Sequence, residues 1–103
     1  MPKAYVIVTE AIKDPAGMEA YGRAAAPSMT ESGARVLAVD ARPDVLEGEW
    51  HGDRTVVLEF ESADAARAWY ASDSYAQAKP LREAAAESHA VIVHGIGQPP
   101  RRD

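Results

Sequence analysis

The segment Leu46–Arg54, with the sequence LEGEWHGDR, concentrates chemically active side chains in a few consecutive residues. In one interpretation Glu47 is a pocket carboxylate, Trp50 forms a wall of the pocket, and Arg54 holds the charge of the acid. A carboxyl group that is shielded from water is suited to proton transfer, and an arginine can hold its charge. The competing interpretation is a turn, because the Glu-Gly and Gly-Asp pairs around the tryptophan are typical of a connection that packs its indole on the edge of a sheet. Both interpretations remain open at this level.

Arg35 and Glu59 form a second candidate group. Strand alternation puts both residues on the same face of a predicted sheet, together with Tyr5. As a buried pair they either neutralise each other or orient the carboxylate or carbonyl group of a ligand. Glu59 is therefore a candidate base alongside Glu47, and Tyr5 is a candidate ligand contact.

Tyr75 and Arg82 lie in the helical part of the second half of the chain. Tyr75 follows a break in a predicted helix, where its phenol either fills the core or donates a hydrogen bond into a cleft. Arg82 lies on the next helical segment, where it either forms a surface ion pair or contacts a ligand.

The three histidines, His51, His89 and His94, show none of the spacings of a known metal site. No two of them stand four residues apart, there is no HxH pair, and the chain has no cysteine. The sequence therefore predicts no metal site. It predicts no cofactor either, because no glycine-rich nucleotide loop is present. Alternation along the last predicted strand places His94 on the same face of the sheet as Tyr5, Arg35 and Glu59. There it is a candidate hydrogen-bonding residue or acid/base.

Composition excludes several classes of protein. The chain has 103 residues and a formal net charge of −5, and Arg101-Arg102 is its one basic cluster, so a nucleic-acid surface is not expected. No apolar run approaches the roughly 20 residues that cross a bilayer, and the N-terminus does not resemble a signal peptide. We expect a cytoplasmic protein without membrane contact.

The hydrophobic pattern predicts the element order β-α-β-β-α-β. Asp14-Pro15 and Ser62 should begin the two helices, and Pro27 should kink or divide the first one. This order predicts an α+β fold, a ferredoxin-like sandwich with two helices on one face of a four-stranded antiparallel sheet. We expect one domain over residues 1–96 and a flexible tail over residues 97–103. The predicted strands are Lys3–Ala11, a second strand that follows the glycine stop within Ser32–Asp40, Arg54–Phe60 and Ala90–Ile96.

Alternation divides the strand residues into two faces. One face is almost purely apolar and should lie beneath the helices: Val6, Val8, Val36, Ala38, Val56, Leu58, Phe60, Val91 and Val93. The other face mixes apolar and polar residues: Tyr5, Ile7, Thr9, Arg35, Leu37, Val39, Thr55, Val57, Glu59, Ile92, His94 and Ile96. The mixed face is too apolar to remain in water, so a second copy of the chain is expected to cover it.

Five segments of the sequence resemble the DUF1330 family, which consists of small bacterial proteins of unknown function in the dimeric α/β-barrel superfamily. The resemblance spans almost the whole chain except the tail, and it implies a ferredoxin-like fold and dimers whose sheets face each other. It implies no established activity, although relatives in the superfamily resemble cofactor-free monooxygenases, lactone isomerases and haem-dependent enzymes. The chain departs from the family pattern at Ala34, where a second glycine is common, and at His94, where an acidic residue is frequent. The matching segments are YVIVTEAIKDPAGMEAY, SGARVLAVD, LEGEW, DRTVVLEFESADAARAWYASDSY and PLREAAAE.

Together these patterns predict a homodimer that holds a small apolar or aromatic molecule between its two sheets. One alternative is a cofactor-free acid/base enzyme, an isomerase or monooxygenase, with Glu47 or Glu59 as base. The other alternative is a structural dimer without a ligand. The predicted ligand contacts are Tyr5, Arg35, Trp50, Arg54, Tyr75, Arg82 and His94.

Overall fold

The computed structural model describes residues 2–96, so the predicted tail lies outside the described residues. The four strands form one antiparallel sheet in the order β2-β3-β1-β4. The helices lie on one side of it, which confirms the predicted ferredoxin-like α+β fold. Within residues 2–96, each helix is too short or too polar to span a bilayer. The elements are β1 (Ala4–Ile12), α1 (Pro15–Ser32), β2 (Arg35–Asp40), β3 (Arg54–Phe60), α2 (Ala63–Ala71), α3 (Asp73–Ala76), α4 (Lys79–Ala85) and β4 (Ala86–His94).

Helix α1 begins and ends as the sequence predicts, but Pro27 does not divide it. Asp14 accepts a hydrogen bond from the backbone of Gly17, and Gly33 ends the helix with a positive φ of 74°. Proline removes one backbone hydrogen bond from a helix. Here the helix remains continuous through Pro27. The hydroxyl of buried Ser28, the next residue, accepts a hydrogen bond from the Trp69 indole at 3.0 Å and joins this part of the helix to α2.

The second helical region consists of three short helices. Ser62 begins α2, and Ser72 begins α3 by accepting a hydrogen bond from the backbone of Tyr75. Strand β4 then begins at Ala86, four residues before its predicted start at Ala90. The alanine-rich segment before Ala90 favours helix locally, but pairing of Ala86 with Ile12 extends the strand.

The hydrophobic core fills the space between the helices and strands β1 and β3. Trp69 and Phe60 are 4% and 1% exposed, and their ring centroids are 5.4 Å apart. Val6, Val8 and Leu58 are also buried on this side. The prediction for the faces of β1 and β3 is therefore confirmed.

The predicted faces of β4 are wrong. Val91 pairs with Ile7 and Val93 pairs with Tyr5, so both valines lie on the side away from the helices. Ile92 pairs with Val6 and packs against the core. The sequence Ala90–Val93 is apolar at every position, so alternation there contains no information about which side is buried.

Part of β2 is also reversed, because the strand contains a bulge. Val36 pairs with Leu58 on the helix side as predicted, but the register shifts before Ala38, so that Leu37 is the extra residue. Beyond the bulge Ala38 lies on the far side of the sheet and Val39 on the helix side, the opposite of the prediction. All six residues of this edge strand are exposed.

We call the side of the sheet away from the helices the open face. Several of its side chains are apolar although no element of residues 2–96 packs over its centre. On the three strands with regular pairing, this face includes Tyr5, Ile7, Thr9, Thr55, Val57, Glu59, Glu87, His89, Val91 and Val93.

Candidate functional site

A groove opens between helix α1 and the helix side of strands β1, β3 and β2. We call it the helix-side groove; its volume is about 290 Å³. Its walls are mostly apolar, and its charged and hydroxyl groups come from Glu10, Arg54 and Tyr21, which is the composition typical of a pocket for a small molecule. The walls are formed by Val8, Tyr21, Gly22, Ala25, Ala26, Met29, Val36, Val39, Val56, Leu58 and Trp69, with Glu10 and Arg54 at one end.

The charged end of the groove is an ion pair between Glu10 and Arg54. The two residues are direct partners across β1 and β3, and the Arg54 Nε donates to Glu10 Oε1 at 2.7 Å. Glu10 is only 2% exposed, and the Arg54 side chain is 27% exposed. A carboxylate at such depth needs a paired cation, so the arginine is a structural requirement for this acid.

A second polar group connects the groove to the helical layer. The hydroxyls of Tyr21 and Tyr75 are 2.8 Å apart, and Arg82 Nε donates to the Tyr75 hydroxyl at 3.2 Å. Burial raises the pKa of the Tyr21 hydroxyl, and the neighbouring Tyr75 raises it further. Tyr21 therefore stays protonated at neutral pH, as a neutral hydrogen-bonding group in the wall of the groove.

Four side chains form another polar group on the open face, which we call the histidine cluster: Thr9, His51, Glu87 and His89. His51 Nδ1 lies 2.7 Å from the Thr9 hydroxyl, and its Nε2 lies 3.8 Å from a carboxylate oxygen of Glu87. The rings of His51 and His89 are stacked, with centroids 3.8 Å apart and an angle of 4° between their planes. Two imidazoles and a carboxylate are a ligand set that transition metals accept.

The connection between β2 and β3 brings His51 to this cluster because its end is fixed to strand β1. The Asp53 N–H donates to the Glu10 carbonyl at 2.7 Å, and the Ile12 N–H donates to the Asp53 carboxylate at 3.2 Å. Gly52 has a φ of 80° and lies against the Glu10 backbone. The LEGEWHGDR segment is therefore a fixed connection that delivers His51 to one side of the sheet and Arg54 to the other.

We expect Gly52→Ala to displace this connection and to lower the free energy of unfolding clearly more than Gly48→Ala. A Cβ at Gly52 would lie 2.5 Å from the Glu10 carbonyl carbon and oxygen, which cannot move without breaking the strand. Gly48 is the matched control, because it has a similar φ of 73° and no atom within 4 Å of the added Cβ. Its substitution should cost only about 1 kcal/mol for the left-handed backbone. Urea unfolding of both variants measures the difference, and equal losses would contradict the fixed connection.

The other predicted residues of the LEGEWHGDR segment are placed differently from expectation. Glu47 is exposed, and Arg54 pairs with Glu10 rather than with Glu47. Trp50 is 51% exposed and donates to the Thr55 hydroxyl at 2.8 Å, so it lies over the edge of the open face and encloses no acid. These positions of Glu47 and Trp50 are those expected from the turn interpretation.

The predicted Arg35–Glu59 pair is present on the open face, with Arg35 Nη1 3.5 Å from Glu59 Oε1. Within one chain the Arg35 side chain is 68% exposed, so burial of this pair would require a second copy over the open face. Tyr5 lies beside Glu59 on the same face, as predicted. His94 is exposed and pairs with Ala4, which lies on the helix side, so its predicted place on the open face is wrong.

Tyr75 and Arg82 are both buried, at 2% and 6% exposure, and they contact each other. Arg82 is therefore not in a surface ion pair, and Tyr75 belongs to the core while its hydroxyl reaches Tyr21.

Sequence reasoning missed Glu10, whose position shares the alternation of Val6 and Val8 and so places an acid beneath the helices. This alternation is the sequence signal that identifies Glu10 as a buried acid.

The comparisons with known proteins agree with this fold. The model of the DUF1330 family, a domain of unknown function, matches residues 3–96. No curated protein matches the chain. Among solved structures, the chain is similar to RPA0582, a protein of unknown function from Rhodopseudomonas palustris, with 19% identity, a TM-score of 0.74, and coverage of 94% of this chain and 85% of that one.

Two further solved structures have the same fold. The cofactor-independent oxygenase SnoaB from Streptomyces nogalater is 12% identical, with a TM-score of 0.67 and coverage of 97% of this chain and 99% of that one. A dimeric protein of unknown function with a ferredoxin-like fold, from Bacteroides fragilis, is 13% identical, with a TM-score of 0.60 and coverage of 89% and 95%. At these identities the likeness establishes the fold.

Proposed function

The chain belongs to the DUF1330 family, and we propose that it is a homodimeric protein that binds a small, largely apolar molecule in the helix-side groove of each subunit. The sequence alone places the ligand between the two sheets. The helix-side groove is the better candidate, because it combines apolar walls with a buried ion pair inside one chain.

The homodimer is supported by the composition of the open face. Val91 and Val93, both on the open face, are 55% and 42% exposed. Apolar side chains that are grouped in this way mark an interaction surface, and a second copy of the chain can cover them symmetrically. The dimeric ferredoxin-like neighbour from Bacteroides fragilis supports the same assembly.

The ligand is supported above all by the contrast between the walls and the end of the groove. Apolar walls favour an aromatic or alicyclic body, since burial of such a surface contributes about 25 cal/mol per Å². Glu10, Arg54 and Tyr21 are placed to bind one polar substituent at the end. We therefore expect a molecule with an apolar ring and a single polar group, such as a phenol or a cyclic ketone.

We expect compounds of this kind to stabilise the protein by about 2.7 kcal/mol at a free concentration 100 times the dissociation constant. Thermal unfolding with a panel of phenols, quinones and cyclic ketones measures the shift. Gly22→Phe should abolish it by filling the groove, while Gly22→Ala is the matched control that adds one methyl group into open space. A shift that persists in Gly22→Phe would place the ligand elsewhere, and no shift with any compound would favour a dimer without a ligand.

A cofactor-free enzyme is the second candidate, and buried Glu10 is the observation that favours it. A carboxylate at the end of an apolar groove is placed to remove a proton from a bound phenol or ketone, with Tyr21 near the developing oxyanion. The likeness to the cofactor-independent oxygenase SnoaB is consistent with such chemistry. Glu47 and Glu59, the acids that the sequence favours, do not line the groove. Product analysis on the same compounds decides between binding and turnover.

A further inference from the structure

We propose that His51, Glu87 and His89 bind one divalent transition-metal ion, with Zn²⁺ as the best match, at the end of the open face. This site is separate from the helix-side groove and lies on the opposite side of the sheet. It joins two segments that are distant in the sequence, the end of the β2–β3 connection and the first half of β4. The proposal goes beyond the proposed function, and its outcome does not depend on a ligand in the groove.

The first argument is the convergence of three ligand atoms. One nitrogen of each histidine and one oxygen of Glu87 all lie within 4.8 Å of one another. Glu87 and His89 are two residues apart on β4, so their side chains point to the same side of the strand. His51 meets them from the connection because Asp53 fixes the end of that connection to Glu10.

The second argument is an unpartnered nitrogen. His51 Nε2 is buried from solvent and has no hydrogen-bond partner among residues 2–96. Leaving a buried polar atom unpaired is unfavourable, so native structures rarely do it without a ligand or an ion. The opposite nitrogen of the same ring, Nδ1, lies 2.7 Å from the Thr9 hydroxyl. When Nδ1–H donates to Thr9, the Nε2 lone pair points toward Glu87, as in metal-binding histidines that a second residue orients.

The chemistry of the three groups selects the metal. Two imidazoles and one carboxylate bind Zn²⁺ at about 2.0–2.2 Å and leave a fourth position for water or another group. The stacked rings must rotate to reach this geometry, because lone pairs in parallel planes do not converge. His89 is exposed and the Glu87 side chain is 69% exposed, so both can turn toward an ion while His51 stays held by Thr9.

The test is a titration of the untagged full-length protein with Zn²⁺ by calorimetry, and with Co²⁺ by visible absorption. We expect one ion per chain and, for Co²⁺, the intense absorption of a tetrahedral site. His89→Ala and Glu87→Gln should weaken binding at least about 10-fold to 100-fold, the range known for residues that only orient ligands. Both residues are exposed, so these variants should retain the fold, which circular dichroism checks.

Two more variants complete the experiment. Thr9→Val should weaken binding by about 10-fold to 100-fold through the lost orientation of His51. His94→Ala is the matched control, because the third histidine is exposed and lies at the far end of β4, and it should leave the affinity unchanged. The proposal is overturned if neither ion binds, if Glu87→Gln and His89→Ala bind as tightly as the wild type, or if His94→Ala alone removes binding.

Discussion

Replacement of Arg54 with leucine should lower the free energy of unfolding by about 3–5 kcal/mol, the loss typical when one member of a buried ion pair is removed. Glu10 is 2% exposed, and its Oε1 accepts a hydrogen bond from Arg54 at 2.7 Å. Without the arginine, the carboxylate remains buried among apolar side chains with no cation to balance it. Chemical denaturation at neutral pH measures the loss.

Two controls distinguish the effect of breaking the buried ion pair from the effect of removing an arginine side chain. Arg67 and Asp64 form an exposed ion pair, with side chains that are 58% and 86% exposed. Arg67→Leu breaks this pair and should change the free energy of unfolding by less than about 1 kcal/mol. The double variant Glu10→Leu with Arg54→Leu should recover much of the stability, because two apolar side chains can replace a buried pair without a large penalty. Equal losses in Arg54→Leu and Arg67→Leu would show that the burial of Glu10 does not depend on Arg54.

The second large effect concerns the proposed homodimer. Val91→Lys should raise the dissociation constant of the dimer by at least about 100-fold, since burying an unpaired ammonium costs several kcal/mol and each 1.4 kcal/mol is a factor of ten. Val91 is 55% exposed within one chain, so the lysine should be solvated in the free subunit and should leave its fold intact. Sedimentation velocity over a range of concentrations measures the change.

Leu81→Lys is the matched control for the dimer. Leu81 is 39% exposed on helix α4, in the layer on the other side of the sheet from Val91. It receives the same new charge, and the dissociation constant should stay unchanged. A wild-type protein that sediments as a single subunit at micromolar concentration would contradict the homodimer, and a dimer equally weakened by both variants would place the interface elsewhere.

The sequence predicts the elements of this fold well where local chemistry determines them. Asp14, Ser62 and Gly33 lie at helix ends as capping residues should, and strand β3 has the predicted bounds. The sequence does not predict features that depend on residues far away in the chain. The register shift at Leu37 and the faces of β4 depend on pairing with β3 and β1, which no pattern within one apolar strand reveals.

The candidate sites are likewise predictable where neighbouring strand positions determine them, and not where distant residues do. Arg35 and Glu59 meet as predicted because simple alternation on adjacent strands is sufficient. Arg54 was recognised as a charged partner, but its acid, Glu10, lies 44 residues earlier in the chain. His51 and Glu87 likewise come together because the β2–β3 connection is fixed to β1, so their spacing in the sequence does not reveal that they meet.

The bulge in β2 makes this exposed edge strand a poorer template for fibril growth than a regular strand would be. An outermost strand with regularly spaced, unpaired backbone groups is a template on which further molecules can stack without limit. The extra residue at Leu37 interrupts that regular spacing in the middle of a strand of six residues. The chain can therefore keep Val36 and Val39 exposed on β2 without offering a continuous ladder for amyloid-like growth.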